Sequence, residues 1–225
     1  WQQVPHFQSR YRCITIDHRE FGLTKEVDKG PGRKAFADDL HQLLDHLGID
    51  RACLVGQSMG GFTAMSFAVR EPDRVAGLVL ADTSGGIVSA DIASELRKNL
   101  AALPADPLAR SLSLTFPQRE PELTFLYAAL GRLTLSIRES LEGLLLSEDG
   151  PSLADLADWA VYKVPTLVIV GAEDVMVTPV VAHMVTAHLK GAKLETIHGA
   201  GHSAYFEKPK EFNAVLGAFA STLKF

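Results

Sequence analysis

Five residues, Gly56-Gln57-Ser58-Met59-Gly60, stand between a short apolar run and a stretch of small residues, and they restrict this chain more than any other feature. Upstream, Arg51-Ala52-Cys53-Leu54-Val55 reads as a buried parallel strand. Downstream, Gly61 to Val69 reads as a helix that Pro72 stops. A backbone passing from strand to helix in so few residues must turn sharply. Residues of almost no side-chain volume are then needed beside Ser58, and glycine at 56 and 60 is expected to meet that need. Such a turn lifts the Ser58 hydroxyl clear of the sheet in a strained, exposed conformation, which makes Ser58 the candidate nucleophile. The pattern Gly-x-Ser-x-Gly arises by chance in about one chain in fifteen of this length, so its context decides.

That context lies further along. Pro165 to Val170 is a second continuous apolar run, and Gly171-Ala172-Glu173-Asp174 follows it, placing a carboxylate at the C-terminal end of a strand. Lys193 to Ile197 alternates as an edge strand would, and His198-Gly199-Ala200-Gly201-His202 follows. Asp174 is the candidate acid and His202 the candidate base, in the chain order serine, acid, histidine. Asp82 closes another apolar run, Val75 to Ala81, at the same sheet edge as Ser58 and stands as an alternative acid.

Strand-like runs at 12–17, 51–56 and 75–81 alternate with helical patterns at 33–47 and 60–70, which predicts a mostly parallel sheet flanked by helices, an α/β fold. In the first helix Phe36, Leu40, Leu43, Leu44 and Leu47 form one apolar stripe that ends at Gly48. From Ser84 to about Lys163 the strand rhythm gives way to Leu- and Ala-rich helical spacing broken by Pro104, Pro107, Pro117, Pro121 and Pro151. Leu112, Leu114, Phe116, Phe125, Leu126, Tyr127, Leu130 and Leu133 could line an apolar pocket there or form that segment's own core. A last helix from Pro209 carries Phe212, Val215, Leu216 and Phe219 on one face.

Composition removes other classes of function. With 22 Lys and Arg scattered among 27 Asp and Glu, and a formal net charge of −5, the chain has no basic patch for nucleic acid or an anionic membrane. No apolar stretch approaches the roughly 20 residues that span a bilayer, and no signal segment opens the chain, so a cytoplasmic location is expected. Cys13 and Cys53 both fall in strand-like runs and are expected to be small buried hydrophobes. His41 with His46, and His183 with His188, are spaced by five on predicted helices, which does not put two metal ligands on one face. No metal or cofactor is expected.

The triad positions, together with Asp17-His18-Arg19-Glu20-Phe21-Gly22 and with Gly201-His202-Ser203 followed by Glu207 and Pro209, resemble the α/β-hydrolase superfamily, in particular its smaller esterase, lactonase and carbon–carbon bond hydrolase members. Glu20 stands where the family's stretch usually has glycine. The resemblance implies a hydrolase core over 1–83 and 164–225, a helical cap over 84–163, catalysis by Ser58, Asp174 and His202, and the Met59 backbone amide as one oxyanion donor. It also implies a second donor from a loop with a His-Gly pair after an earlier strand, which this sequence does not contain. Trp1 to Phe7 resembles the helix after that loop, so the first strands and the loop are expected to precede Trp1. The expected activity is hydrolysis of a small ester, lactone or related carbonyl compound through an acyl-enzyme. The alternatives are carbon–carbon bond hydrolysis, cofactor-free perhydrolysis of the haloperoxidase kind, or a binding or signalling homologue with negligible turnover. The expected partner is a small molecule, and an oligomer is compatible with the sequence.

Overall fold

The computed structural model describes residues 2–25, 30–132, 141–146 and 164–225. Four parallel strands, β1 (Ala52–Gln57), β2 (Val75–Ala81), β3 (Thr166–Gly171) and β4 (Lys193–Ile197), lie side by side in chain order. Among the described residues the α-helices are α1 (Gln3–Phe7), α2 (Phe36–His46), α3 (Met59–Arg70), α4 (Ala90–Ala102), α5 (Pro107–Ser111), α6 (Phe116–Arg119), α7 (Pro121–Gly131), α8 (Leu141–Leu145), α9 (Pro179–His188), α10 (Ala204–Glu207) and α11 (Pro209–Ala220).

The alternation of side chains across a strand sorts the core into two layers. Leu78 and Leu80 of β2 and Val168 and Val170 of β3 pack against α2, α3, α4 and α9. Val79 and Ala81, with Leu167 and Ile169, face the other way onto Phe7 of α1, Ala204 of α10, and Phe212 and Leu216 of α11. Every residue of β2 and β3 is buried, as strands covered on both faces must be. The edge strand β4 alternates in burial as its sequence does. In α2, Phe36, Leu40 and Leu44 are buried, and Gly48 follows at φ +63°, with the Ile49 amide reaching back to the Leu44 carbonyl to close the helix end.

Three expectations need correction. Residues 12–17 form no strand among the described residues, and Cys13 is exposed rather than buried. An apolar run reports a wish to be covered, and only a neighbouring backbone makes it a strand. The strand expected to be buried at 51–55 is only partly so: β1 is mixed in burial, with Val55 exposed and Cys53 half-buried, and burial pushes the Cys53 thiol up to about 12.

The second correction concerns the glycines of the sharp turn. A Cβ on Gly56 would lie 2.5 Å from the Gly60 carbonyl oxygen and 2.6 Å from the Gly61 Cα, so the strand-to-helix turn does require glycine there. At Gly60 a Cβ would meet nothing, whereas at Gly61 it would run into the buried Thr83 side chain. The crowded positions are therefore 56 and 61, not 56 and 60. Thr83 cannot easily give way, because its Oγ1 accepts the Gly85 amide at 3.0 Å. Gly61→Ala is expected to cost about 1–3 kcal/mol through overpacking, while Gly60→Ala, in a helical position with free space, should be neutral or stabilising by up to about 1 kcal/mol; urea denaturation of the two variants checks the contrast.

The third correction divides the apolar residues of the segment 84–163. Its described residues carry α4 to α8 and no strand. Leu112 and Phe116 are buried against Phe206, with Tyr127 packed beside them, whereas Leu114, Phe125 and Leu130 are exposed. Leu133 lies outside the described residues. The seven described residues therefore do not form one core.

The stretch around Glu20 shows why glycine suits that position: Glu20 sits at φ +66° and Gly22 at φ +52°, with the Leu23 amide donating to Asp17 Oδ2 at 3.1 Å. A non-glycine residue in the left-handed region carries about 1–2 kcal/mol of strain.

Candidate active site

Ser58 occupies the single-residue turn between β1 and α3 at φ +49°, ψ −119°, a conformation that side chains other than glycine rarely adopt. Two backbone hydrogen bonds fix it there: its amide donates to the Ala81 carbonyl at 3.0 Å, and the Gly61 amide donates to the Ser58 carbonyl at 3.0 Å. Met59 is the first residue of α3, so its N–H has no acceptor within the helix and points out of the helix N-terminus, where partial positive charge collects.

The turn after β3 and the loop after β4 are stitched together by their backbones. Ala172 and Glu173 donate to the carbonyls of Ile197 and Ala200 at 2.9 and 2.8 Å. A Cβ on Gly171 would strike the Gly201 and Ala200 carbonyl oxygens, so glycine permits this approach. The stitching sets Asp174 beside His202. Asp174 Oδ1 accepts the amides of Met176 at 2.8 Å and Val177 at 3.0 Å, and its Oδ2 lies 2.8 Å from His202 Nδ1. On the far side of the ring, His202 Nε2 lies 2.9 Å from Ser58 Oγ. The structure thus brings together all three side chains singled out in the sequence.

A carboxylate only accepts hydrogen bonds, so the Asp174 contact places the imidazole proton on Nδ1 and leaves Nε2 bare to accept the Ser58 proton. The ring and the acid are both buried. Burial by itself would depress the His202 pKa, but the charge of Asp174 and its hydrogen bond, helped by Asp82, outweigh it and hold the imidazole above its ordinary value.

Asp82 does not share in this contact. It is fully buried at φ +48°, its Oδ1 accepts the Gly171 amide at 2.8 Å, and its Oδ2 has no hydrogen-bond partner. Burial first, and the negative charge of Asp174 second, push its carboxyl well above the usual range, against the opposing effect of His202 and the Gly171 and Ala204 backbone. Asp82 steadies the turn that carries Asp174 and leaves the imidazole to Asp174.

Two further side chains hold the site, and neither was assigned a role from the sequence. Gln57, the variable residue before the serine, donates from Nε2 to the His202 carbonyl at 2.8 Å, and Glu207 accepts the Gly201 amide at 2.7 Å. Their partners lie on the histidine loop, and no local spacing signals the Gln57 contact, which bridges 145 residues. Of the histidines spaced by five, His41 lies 3.2 Å from Asp45 Oδ2 and 3.0 Å from Glu71 Oε1; among the described residues no group of three or more His, Cys, Asp or Glu could hold a metal ion. No helix among them is long and apolar enough to cross a membrane.

A serine at positive φ between a parallel strand and a helix, facing a histidine from the loop after the last strand, defines a class of hydrolases built on a nucleophile turn. A family model described as the alpha/beta hydrolase fold matches residues 1–209, and the chain belongs to that family. It is 28% identical over 225 residues to 3-oxoadipate enol-lactonase 2 of Acinetobacter baylyi, spanning 96% of this chain and 81% of the lactonase. Over 229 residues it is 28% identical to the 2-hydroxy-6-oxononadienedioate/2-hydroxy-6-oxononatrienedioate hydrolase of Klebsiella pneumoniae, spanning 94% of this chain and 77% of that hydrolase. Among solved structures, a thermophilic esterase from Thermogutta terrifontis superimposes with a TM-score of 0.77 at 25% identity, covering 98% of this chain and 84% of the esterase.

Proposed function

We propose that this chain is a serine hydrolase that cleaves a small ester, lactone or related carbonyl compound through an acyl-enzyme, with 84–163 as a helical cap over the site. The observation that carries the reading is the continuous contact from Ser58 Oγ through the His202 ring to Asp174, 2.9 and 2.8 Å, with the serine backbone held at φ +49°. Ser58 Oγ attacks the carbonyl carbon while Nε2 takes its proton. The oxyanion that develops faces the Met59 N–H, a donor of a kind worth about 3–4 kcal/mol of barrier. The imidazolium, stabilised by Asp174, returns the proton to the leaving oxygen, and water repeats the sequence to release the acid and restore Ser58. The names of the lactonase and esterase relatives support an oxygen ester as substrate.

The 2-hydroxy-6-oxononadienedioate/2-hydroxy-6-oxononatrienedioate hydrolase among the relatives, named for oxo-acid substrates, supports a second reading, carbon–carbon bond hydrolysis, in which the same serine attacks a ketone and a carbanion leaves. Turnover of short nitrophenyl esters measured against vinylogous diketones separates the two. An acyl-enzyme mechanism predicts a burst of nitrophenol close to one equivalent per active site; release that is linear from the first turnover, with no acyl adduct in the intact mass, would count against it.

The pH dependence follows from the base. His202 must be neutral to accept the Ser58 proton, and its pKa is held above the ordinary 6.5. Activity should therefore be lost as pH falls through that raised value. The acid limb of kcat/KM is expected to have its midpoint above pH 6.5; a midpoint below it in a pH series with a nitrophenyl ester would contradict the assigned base.

A further inference from the structure

Glu207 is a buried carboxylate outside the relay, and both of its oxygens are committed. Oε1 accepts the Gly201 amide at 2.7 Å, and Oε2 accepts the Ser113 amide at 2.9 Å. Gly201 immediately precedes His202, and Ser113 lies in the helical segment after β2, so one side chain ties the histidine loop to that segment. The two backbones touch as well: a Cβ on Gly201 would lie 2.6 Å from the Ser113 nitrogen and 2.7 Å from the Leu112 carbonyl carbon. Two weaker ties run in parallel, Arg119 Nη2 to the Gly199 carbonyl at 3.2 Å and Tyr127 Oη with Ser203 Oγ at 2.8 Å.

We propose that Glu207 is a positioning residue for His202, fixing the imidazole against Ser58 and Asp174 by bracing the Gly201 amide on Ser113. The inference rests on the serine hydrolase reading for its consequence in turnover, but not for its consequence in structure. A carboxylate suits the place because both neighbours are N–H donors and a carboxylate offers only acceptors. Burial works against that charge, and the amides of Ser113 and Gly201 work for it. Glutamine has the same shape, yet its NH2 group would face one of the two donors, so that strand of the brace is lost and the His202 loop loosens on one side. Gln57 still holds the His202 carbonyl, which keeps the loop in place without fixing the ring angle.

The test compares wild type, Glu207→Gln and Glu207→Asp. Titration of the His202 ring by NMR is independent of turnover, and the charges facing that ring are Asp174 and Asp82. In Glu207→Gln the His202 pKa is expected to fall toward its ordinary value as contact with Asp174 weakens. Turnover per active site, with sites counted by a phosphonate inhibitor, is expected to fall about ten-fold with KM within two-fold. Glu207→Asp, which keeps an all-acceptor group on a shorter stem, should recover part of both and decides the matter alone if the glutamine variant does not fold. An unchanged His202 titration with unchanged turnover per counted site would overturn the proposal. Loss of counted sites alone would do the same, since it marks a merely structural role. A changed His202 titration in Glu207→Gln, beside a wild type that never turns over an ester, would instead uphold the brace and sink the hydrolase reading.

Discussion

Replacing Ser58 by alanine is expected to lower kcat toward activated esters by roughly five to six orders of magnitude, the scale seen when a triad serine is removed. The fold should survive. Both hydrogen bonds that hold the turn, to the Ala81 carbonyl and from the Gly61 amide, use the Ser58 backbone and remain in the alanine variant. The strain of φ +49° is common to both side chains, and the lost contact to Nε2 is partly exposed, so stability should shift by no more than about 1 kcal/mol. Residual activity would come from the Met59 amide and substrate binding alone. Turnover within ten-fold of wild type in a folded Ser58→Ala protein would remove the serine from the mechanism.

Asp174→Asn should cost about four orders of magnitude in kcat, for a different reason. The asparagine carbonyl can keep the Met176 and Val177 amides that Oδ1 now accepts, which leaves its NH2 group facing His202 Nδ1. Nδ1 must then accept, the ring proton moves to Nε2, and Nε2 presents a hydrogen to Ser58 Oγ where a lone pair is needed. The variant should also lose the upward pull on the His202 pKa. Asp82→Asn is the control. Its carbonyl can still accept the Gly171 amide, and it does not touch the imidazole, so its loss should be far smaller than that of Asp174→Asn. Asp82 and Asp174 lie close enough to interact, and if Asp82→Asn were the more damaging change, the acid would be misassigned. Steady-state kinetics on the two variants, with refolding checked by circular dichroism, decides between them.

Much of this arrangement is written locally. The apolar runs at 75–81 and 166–171 are strands because their composition permits burial on both faces, and the alternation at 193–197 marks an edge. The site residues are legible because each follows such a run: Ser58 after β1, Asp174 after β3 and His202 after β4. What the sequence hides depends on partners far away in the chain. The run at 12–17 has the composition of a strand and no strand beside it among the described residues. Whether Gly60 or Gly61 must be glycine depends on Thr83, which reaches the turn only after β2 has paired with β1. Cys13 is exposed for the same reason that its run is unpaired. Glu207 and Gln57 look like surface polar residues until folding brings Ser113, Gly201 and the His202 carbonyl within their reach. Chemistry that rests on residue type and chain order can be read directly, while the bracing that aims it comes from tertiary contacts.

The central claim is that Ser58 Oγ, activated by His202, is the group that bonds to substrate. Labelling with a fluorophosphonate, followed by intact-mass and peptide mapping, reads that bond directly. One adduct per chain on the peptide carrying Ser58, lost in Ser58→Ala and strongly slowed in Asp174→Asn, is the predicted result. Labelling of Ser58→Ala as fast as wild type, or an adduct mapped to another residue, would contradict it.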